Sequence, residues 1–169
     1  IIFLCLYSLA FNFYYGYRGI FPIDSFLIFD SGYNVLKGFH PFKDYWSITG
    51  PLLDYFQAFF FLIFGVNWVS YVLHASTINL LLVIFSYFVF TSIGLKRWYS
   101  FIYCLGIGAL AYPPVGTPFI DHHSSIFSIL AIYFYILFIK SKKNFFLFFV
   151  PILLIFAFLS KQTPSSYII

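Results

Sequence analysis

Residues 51–64, PLLDYFQAFFFLIF, decide the topology of this chain. A helix that crosses a bilayer needs about 20 apolar residues. This run has about 14, which is short for a span, and Asp54 and Gln57 interrupt it. If it spans, the basic loop Lys96-Arg97 and the lysines 140, 142 and 143 share a side with the Asp-rich stretch before it, and Asp121 falls opposite. If it lies along the membrane surface, both basic loops fall on the cytoplasmic side. All five Asp then gather on the outer side together with Lys161. The excess of Lys and Arg on cytoplasmic loops selects the second arrangement.

The composition sets the class. Of the 169 residues, 62% are hydrophobic and 8% are charged, against about 25% charged in a soluble domain. That excludes an ordinary soluble globular fold, a disordered chain and a nucleic-acid binder built on basic charge. The net charge of +4 is read as a topological signal. The many aromatics, Phe 27 and Tyr 15, are read as AT-rich codon usage rather than an aromatic cage. Cys5 and Cys104 lie in apolar segments and suggest neither a disulfide framework nor a metal site. The chain begins inside one apolar segment and ends inside another, so it is expected to be an N-terminal piece of a longer protein.

Outward from the deciding stretch, spans are expected at about 1–15, 68–94, 99–115, 124–140 and 145–160, with an outer loop at about 16–67. Within that loop, Asp24 to Gly38 reads as a helix. Asp24 stands where an N-cap belongs and Gly38 where a left-handed C′ residue belongs. The expected fold is therefore all-α: one polytopic transmembrane bundle with two interfacial helices in its first outer loop.

The chain has no Glu, so its acids are Asp24, Asp30, Asp44, Asp54 and Asp121. Ionisable groups at a membrane often mark function. Asp24 reads either as a plain N-cap or as a general base. Asp30 reads either as a solvated surface residue or as a general base. A carboxylate near apolar surface holds protons more tightly, which suits it to take one from a hydroxyl. Asp44 lies in His40-Pro41-Phe42-Lys43-Asp44-Tyr45-Trp46, where Lys43 offers a simple partner and Tyr45 and Trp46 read as interfacial anchors. Asp121-His122-His123 is a compact polar cluster at the mouth of a span. Substrate hydrogen bonding and a divalent metal are its two functional readings, although neighbours on a helix point apart. Lys161 and Arg18 lie on the outer side, against the positive-inside bias. Each reads as snorkelling to the headgroups or as binding an anionic lipid-linked phosphate.

Together these motifs resemble a known family. Phe21-Pro22-Ile23-Asp24, the surface helix ending at Gly38, His40-Pro41-Phe42-Lys43-Asp44-Tyr45-Trp46, Gly50-Pro51-Leu52 and Phe64-Gly65 resemble the first outer loop of the GT-C glycosyltransferases. Protein O-mannosyltransferases and the lipid A aminoarabinose transferases belong to that group. Thr117 to His123 resembles the second outer loop, and Leu159-Ser160-Lys161-Gln162-Thr163 resembles the Ser-Lys segment after a later span. The resemblance implies a polyprenyl-phosphate sugar donor, a glycolipid, polysaccharide or protein hydroxyl acceptor, and no nucleic acid. It puts the catalytic acid at Asp24, or at Asp30 beside Ser31-Gly32, and carries the second acid over to Asp121. Asp44, Asp121, His122, His123, Lys161 and Arg18 are the implied substrate contacts. The resemblance fixes no cofactor, and a divalent metal is one of the cations the chemistry allows. The implied location is a bacterial inner membrane with the site facing the periplasm. The competing class is a transporter or flippase of lipid-linked sugars or polysaccharide, which would place ionisable groups in mid-membrane.

Overall fold

The computed structural model describes residues 1–18, 24–47 and 50–165, with the backbone alone for Asp24, Ser25, Pro164 and Ser165. The motif Phe21-Pro22-Ile23 and the Asp24 side chain therefore lie outside the described residues. The described residues are helical and carry no strand, apart from an isolated bridge between Pro41 and Tyr45. The helices are α1 (Ile2–Tyr15), α2 (Asp24–Leu36), α3 (Leu52–Phe64), α4 (Trp68–Ser92), α5 (Arg97–Leu110), α6 (Ile120–Ser141) and α7 (Asn144–Ser160). A last short turn, α8 (Gln162–Ser165), follows. Two of them, α4 with 25 residues and α6 with 22, are long and apolar enough to cross a membrane. The shorter apolar helices are α1, α3 and α7.

Helix α4 is the hub, packing against α1, α3, α5 and α6. Its small polar residues face neighbouring helices. The Asn79 amide donates to Ser8 Oγ of α1 at 3.1 Å and to the Gly108 carbonyl of α5 at 3.0 Å. The Asn12 amide of α1 donates to Ser76 Oγ of α4 at 2.9 Å. Such bonds and close small-residue packing fix which helix faces meet. Gly108 lets α5 approach Tyr7 and Val83, where a Cβ would sit at 3.3 Å from each.

Two helix ends follow directly from glycine. Gly38 has φ +91 and Gly94 has φ +101. Behind each, the paired backbone bonds of a Schellman motif close the helix: Phe39 N–H to Asn34 O and Gly38 N–H to Val35 O, then Leu95 N–H to Phe90 O and Gly94 N–H to Thr91 O. A side chain at either glycine would be strained in this left-handed conformation.

Two expected boundaries are corrected. The span expected at 99–115 ends at Leu110, because Pro113 and Pro114 cannot carry the helix on and disfavour it in the residue before each. The unwound segment lets the Tyr112 side chain turn fully inward. The span expected from 124 starts at Ile120, so Asp121, His122 and His123 lie in the first turn of α6 and not in a loop.

Helix α3 lies across one end of the bundle. Its contacts reach Trp68, Tyr71 and His74 of α4, Ile120 and Phe127 of α6, and Phe156 of α7. Just before it, Gly50 N–H donates to Ser160 O at the end of α7 at 3.3 Å, and the fit leaves no room for a Cβ. The inner face of α3 sets two polar residues among the apolar Leu53, Ala58 and Phe61. Asp54 and Gln57 are buried, while Tyr55, Phe59, Leu62, Ile63 and Phe64 are exposed. Asp54 and Gln57 therefore do not weaken its apolar outer face.

Candidate functional site

The same end of the molecule collects the C-terminal ends of α1, α5 and α7 and the N-terminal ends of α4 and α6. Trp68 Nε1–H of α4 donates to Gly16 O at the end of α1 at 3.0 Å, and the Asn12 amide reaches Gly116 O beyond α5 at 3.3 Å. Helix α2 joins through Ile28, which packs with Leu53, Tyr71 and Ile120. Gly32 lets α2 press on α3, since a Cβ there would lie 2.6 Å from Gln57 Cγ.

Three polar arrangements occupy this end. The first is closed around Asp54. Ser31 Oγ–H donates to Oδ1 at 2.7 Å and Tyr45 O–H to Oδ2 at 2.8 Å. Asp54 is 1% exposed. Burial raises its pKa above the ordinary 3.8, and the two hydroxyl donors pull it partly back. Burial first, and then the bond to Asp54, raises the Tyr45 hydroxyl. These bonds tie α2 and the His40–Trp46 loop to α3. Tyr45 is thus a structural donor, whereas Trp46 is 83% exposed, as an interfacial anchor would be.

The second arrangement is a buried relay across four segments. Phe119 N–H donates to Tyr112 Oη at 2.9 Å, and Tyr112 lies 2.7 Å from His123 Nδ1. His123 Nε2 is 3.1 Å from His74 Nε2, and His74 Nδ1 is 2.9 Å from Gln57 Oε1. Burial lifts the Tyr112 hydroxyl well above its ordinary value, so it keeps its proton. His123 Nδ1 faces both Tyr112 Oη and, at 3.0 Å, the Phe119 carbonyl, so it accepts from the one or donates to the other according to its tautomer, and the direction along the His74–Gln57 end follows that choice. Both rings are then neutral donors and acceptors at once, and both are fully buried. His123 was a candidate substrate contact. It is instead a link between α6 and α4, with no surface to offer.

The third arrangement is open. Lys161 Nζ and Asp121 Oδ1 form an ion pair at 2.6 Å, with the side chains 32% and 42% exposed. Ser124 Oγ–H donates to Lys161 O at 3.1 Å, which holds the backbone after α7 against α6. Asp121 and Lys161 are 40 positions apart, and the structure brings these two separate candidates together. His122 turns another way, beside Tyr112 and Phe119.

The remaining candidates are placed separately. Asp30 is exposed on α2 and accepts from the Asn34 amide at 3.4 Å. Asp44 accepts His40 N–H at 2.8 Å, which closes the loop; this is a local cap and not a pairing with Lys43. Arg18 stacks over the Tyr14 ring at 4.4 Å. Among the described residues no group of three His, Cys or Asp converges to hold a metal. The physical reason at residues 121–123 is that three successive helical positions splay apart. Asp54, Gln57, Tyr45 and Tyr112 were not singled out as a site. Asp54 and Gln57 carried a signal, since residues three apart share one helix face.

The chain matches no protein-family model, no curated protein and no solved structure.

Proposed function

We propose that this chain is the membrane module of a glycosyltransferase that moves a sugar from a polyprenyl-phosphate donor to a hydroxyl acceptor with inversion. The observation that carries the reading is the shared end. An exposed carboxylate on α2 (Asp30) and a half-exposed Asp121–Lys161 pair stand on the same end of an apolar bundle, beside the outward apolar face of α3. That is where a lipid-anchored substrate would present its head. The module is read as polytopic, with α2 and α3 lying at the outer surface of a bacterial inner membrane and the basic loops inside.

In this reading Asp24 or Asp30 takes the proton from the acceptor hydroxyl. The hydroxyl oxygen attacks C1 of the sugar, the C1–O bond to the lipid phosphate breaks on the opposite face, and the lipid phosphate leaves. Lys161 faces the growing negative charge, with Asp121 holding it in place. The acceptor is a glycolipid, polysaccharide or protein hydroxyl. The transporter alternative gains no support from the interior, where His74 and Asn79 are engaged by neighbouring helices.

The test is release of polyprenyl phosphate by the full-length protein in proteoliposomes, with a panel of polyprenyl-phosphate sugars and an acceptor extract. A loss of about a hundredfold or more in Asp24→Asn or in Asp30→Asn identifies the base. No release with any donor, from folded protein, overturns the reading.

A further inference from the structure

Helices α5 and α6 follow each other in sequence and both pack on α4, yet they scarcely touch one another. Between them lies a cleft of about 460 Å³, floored by Leu82 of α4 and walled by Ile107 and Leu110 of α5 and Ile129 and Tyr133 of α6. Leu82, Ala111 and Ile129 also line a second cavity of about 270 Å³, so the two adjoin. The second cavity has a polar end made by Asp121, His122 and Ser125. The glycines of α5 divide the work. Gly108 is packed against α1 and α4, whereas a Cβ at Gly106 would meet nothing within 4 Å. The cleft is therefore open along its length and polar at one end.

We propose that this cleft holds the chain of a membrane amphiphile whose head is an uncharged sugar, seated against Asp121, His122 and Ser125. The apolar walls suit a single hydrocarbon chain, since they offer it contact without polar groups. The head follows from the chemistry of the polar end. A carboxylate, an imidazole and a hydroxyl line it, and neither Lys nor Arg does. Lys161 approaches Asp121 but does not line the cavity. Lys161 already neutralises that carboxylate from outside the cavity, and the carboxylate, imidazole and hydroxyl that do line it are groups to which sugar hydroxyls donate or from which they accept. His122 Nδ1 itself is buried against Tyr112 and Phe119, so the ring lines the polar end with its other atoms. That the amphiphile is the acceptor of the transfer rests on the glycosyltransferase reading; its binding does not.

The experiment uses the full chain in phosphatidylcholine nanodiscs, with an alkyl glucoside carrying a diazirine on its chain and a matched alkyl phosphate as control. Cross-links are mapped by peptide mass spectrometry. The glucoside is expected to label α5 and α6 residues of the cleft and to be displaced by unlabelled alkyl glucoside. Labelling is expected to fall about tenfold, equivalent to about 1.4 kcal/mol of binding, in Gly106→Leu, which fills the cleft from α5. Ile129→Trp fills it from α6 and reads the same site if the first variant melts early. Labelling spread evenly over lipid-facing residues overturns the proposal. So does equal, displaceable labelling by the alkyl phosphate, or cross-linking of the cleft to another protein segment. Cleft labelling without sugar transfer would sink the enzyme reading alone; transfer without cleft labelling would sink this one alone.

Discussion

Asp54 and Asp121 sit on the same end of the bundle and are satisfied in opposite ways. Asp54 is 1% exposed and takes both its bonds from neutral hydroxyls, each on a different segment. Asp121 is 42% exposed and takes its bond from a lysine. A buried carboxylate with two fixed donors has no free lone pair directed at solvent, so its value lies in tying segments together. A half-exposed ion pair contributes little to stability in solvent, and its charges can be redistributed when a ligand arrives. The same contrast separates His123, locked between Tyr112 and His74, from its neighbour His122 at the edge of the α5–α6 cleft. Near a membrane, then, the presence of an ionisable residue is a weaker guide to chemistry than whether its partners already use it up.

That contrast can be broken by substitution. The largest effect is expected at Asp54. Asp54→Ala leaves the buried Ser31 hydroxyl and the half-buried Tyr45 hydroxyl without their carboxylate acceptor and should cost about 3 kcal/mol, read as chemical or thermal unfolding in lipid nanodiscs. Asp54→Asn, which keeps an acceptor oxygen, should cost less than half as much. Next come the histidines: His123→Ala and His74→Ala should each cost about 2 kcal/mol, and a double-mutant cycle between them should show a coupling of about 1 kcal/mol. Additive losses would mean that the Nε2–Nε2 bond contributes nothing.

A smaller effect is the pH slope that Asp54 imposes. The folded protein keeps the Asp54 proton to a higher pH than the unfolded chain, whose carboxyl has the ordinary value of 3.8. The stability due to that proton is full below 3.8 and is lost as pH rises through the raised value. The melting temperature of the wild type should therefore fall across that window, and Asp54→Asn should flatten the fall. Asn79→Ala should cost about 1 kcal/mol, in line with hydrogen bonds between membrane helices. The smallest stability change is expected at Lys161→Ala, below about 1 kcal/mol as for other exposed pairs. On the proposed glycosyltransferase reading, that variant should nevertheless lose release of polyprenyl phosphate. A melting temperature that drops as far as in Asp54→Ala would make the Asp121–Lys161 pair structural and erase the contrast.

Much of the candidate site was legible as separate residues and little of it as geometry. Asp121 and Lys161 stood out because each is a rare charge beside an apolar helix, and both proved to be half-exposed and paired. His123 stood out as part of the compact Asp121-His122-His123 cluster, and the first turn of α6 carried it inward. Asp44 drew attention as an acid in an aromatic motif, and it closes its own loop on His40. Asp54 was read as a flaw in an apolar run. Its role depends on Ser31 and Tyr45, which are 23 and 9 positions away, and no local pattern ties the three together.

The sequence by itself determined the helical class, because long apolar runs with so few charges must satisfy their backbone internally in an apolar environment. It also determined several helix ends, because Gly38 and Gly94 adopt left-handed conformations and Pro113 breaks the helix pattern, and these preferences are local. The tertiary structure decided which polar groups are spent and which remain available. That choice depends on what lies opposite each group across the bundle, and the facing residues come from segments far apart in the chain.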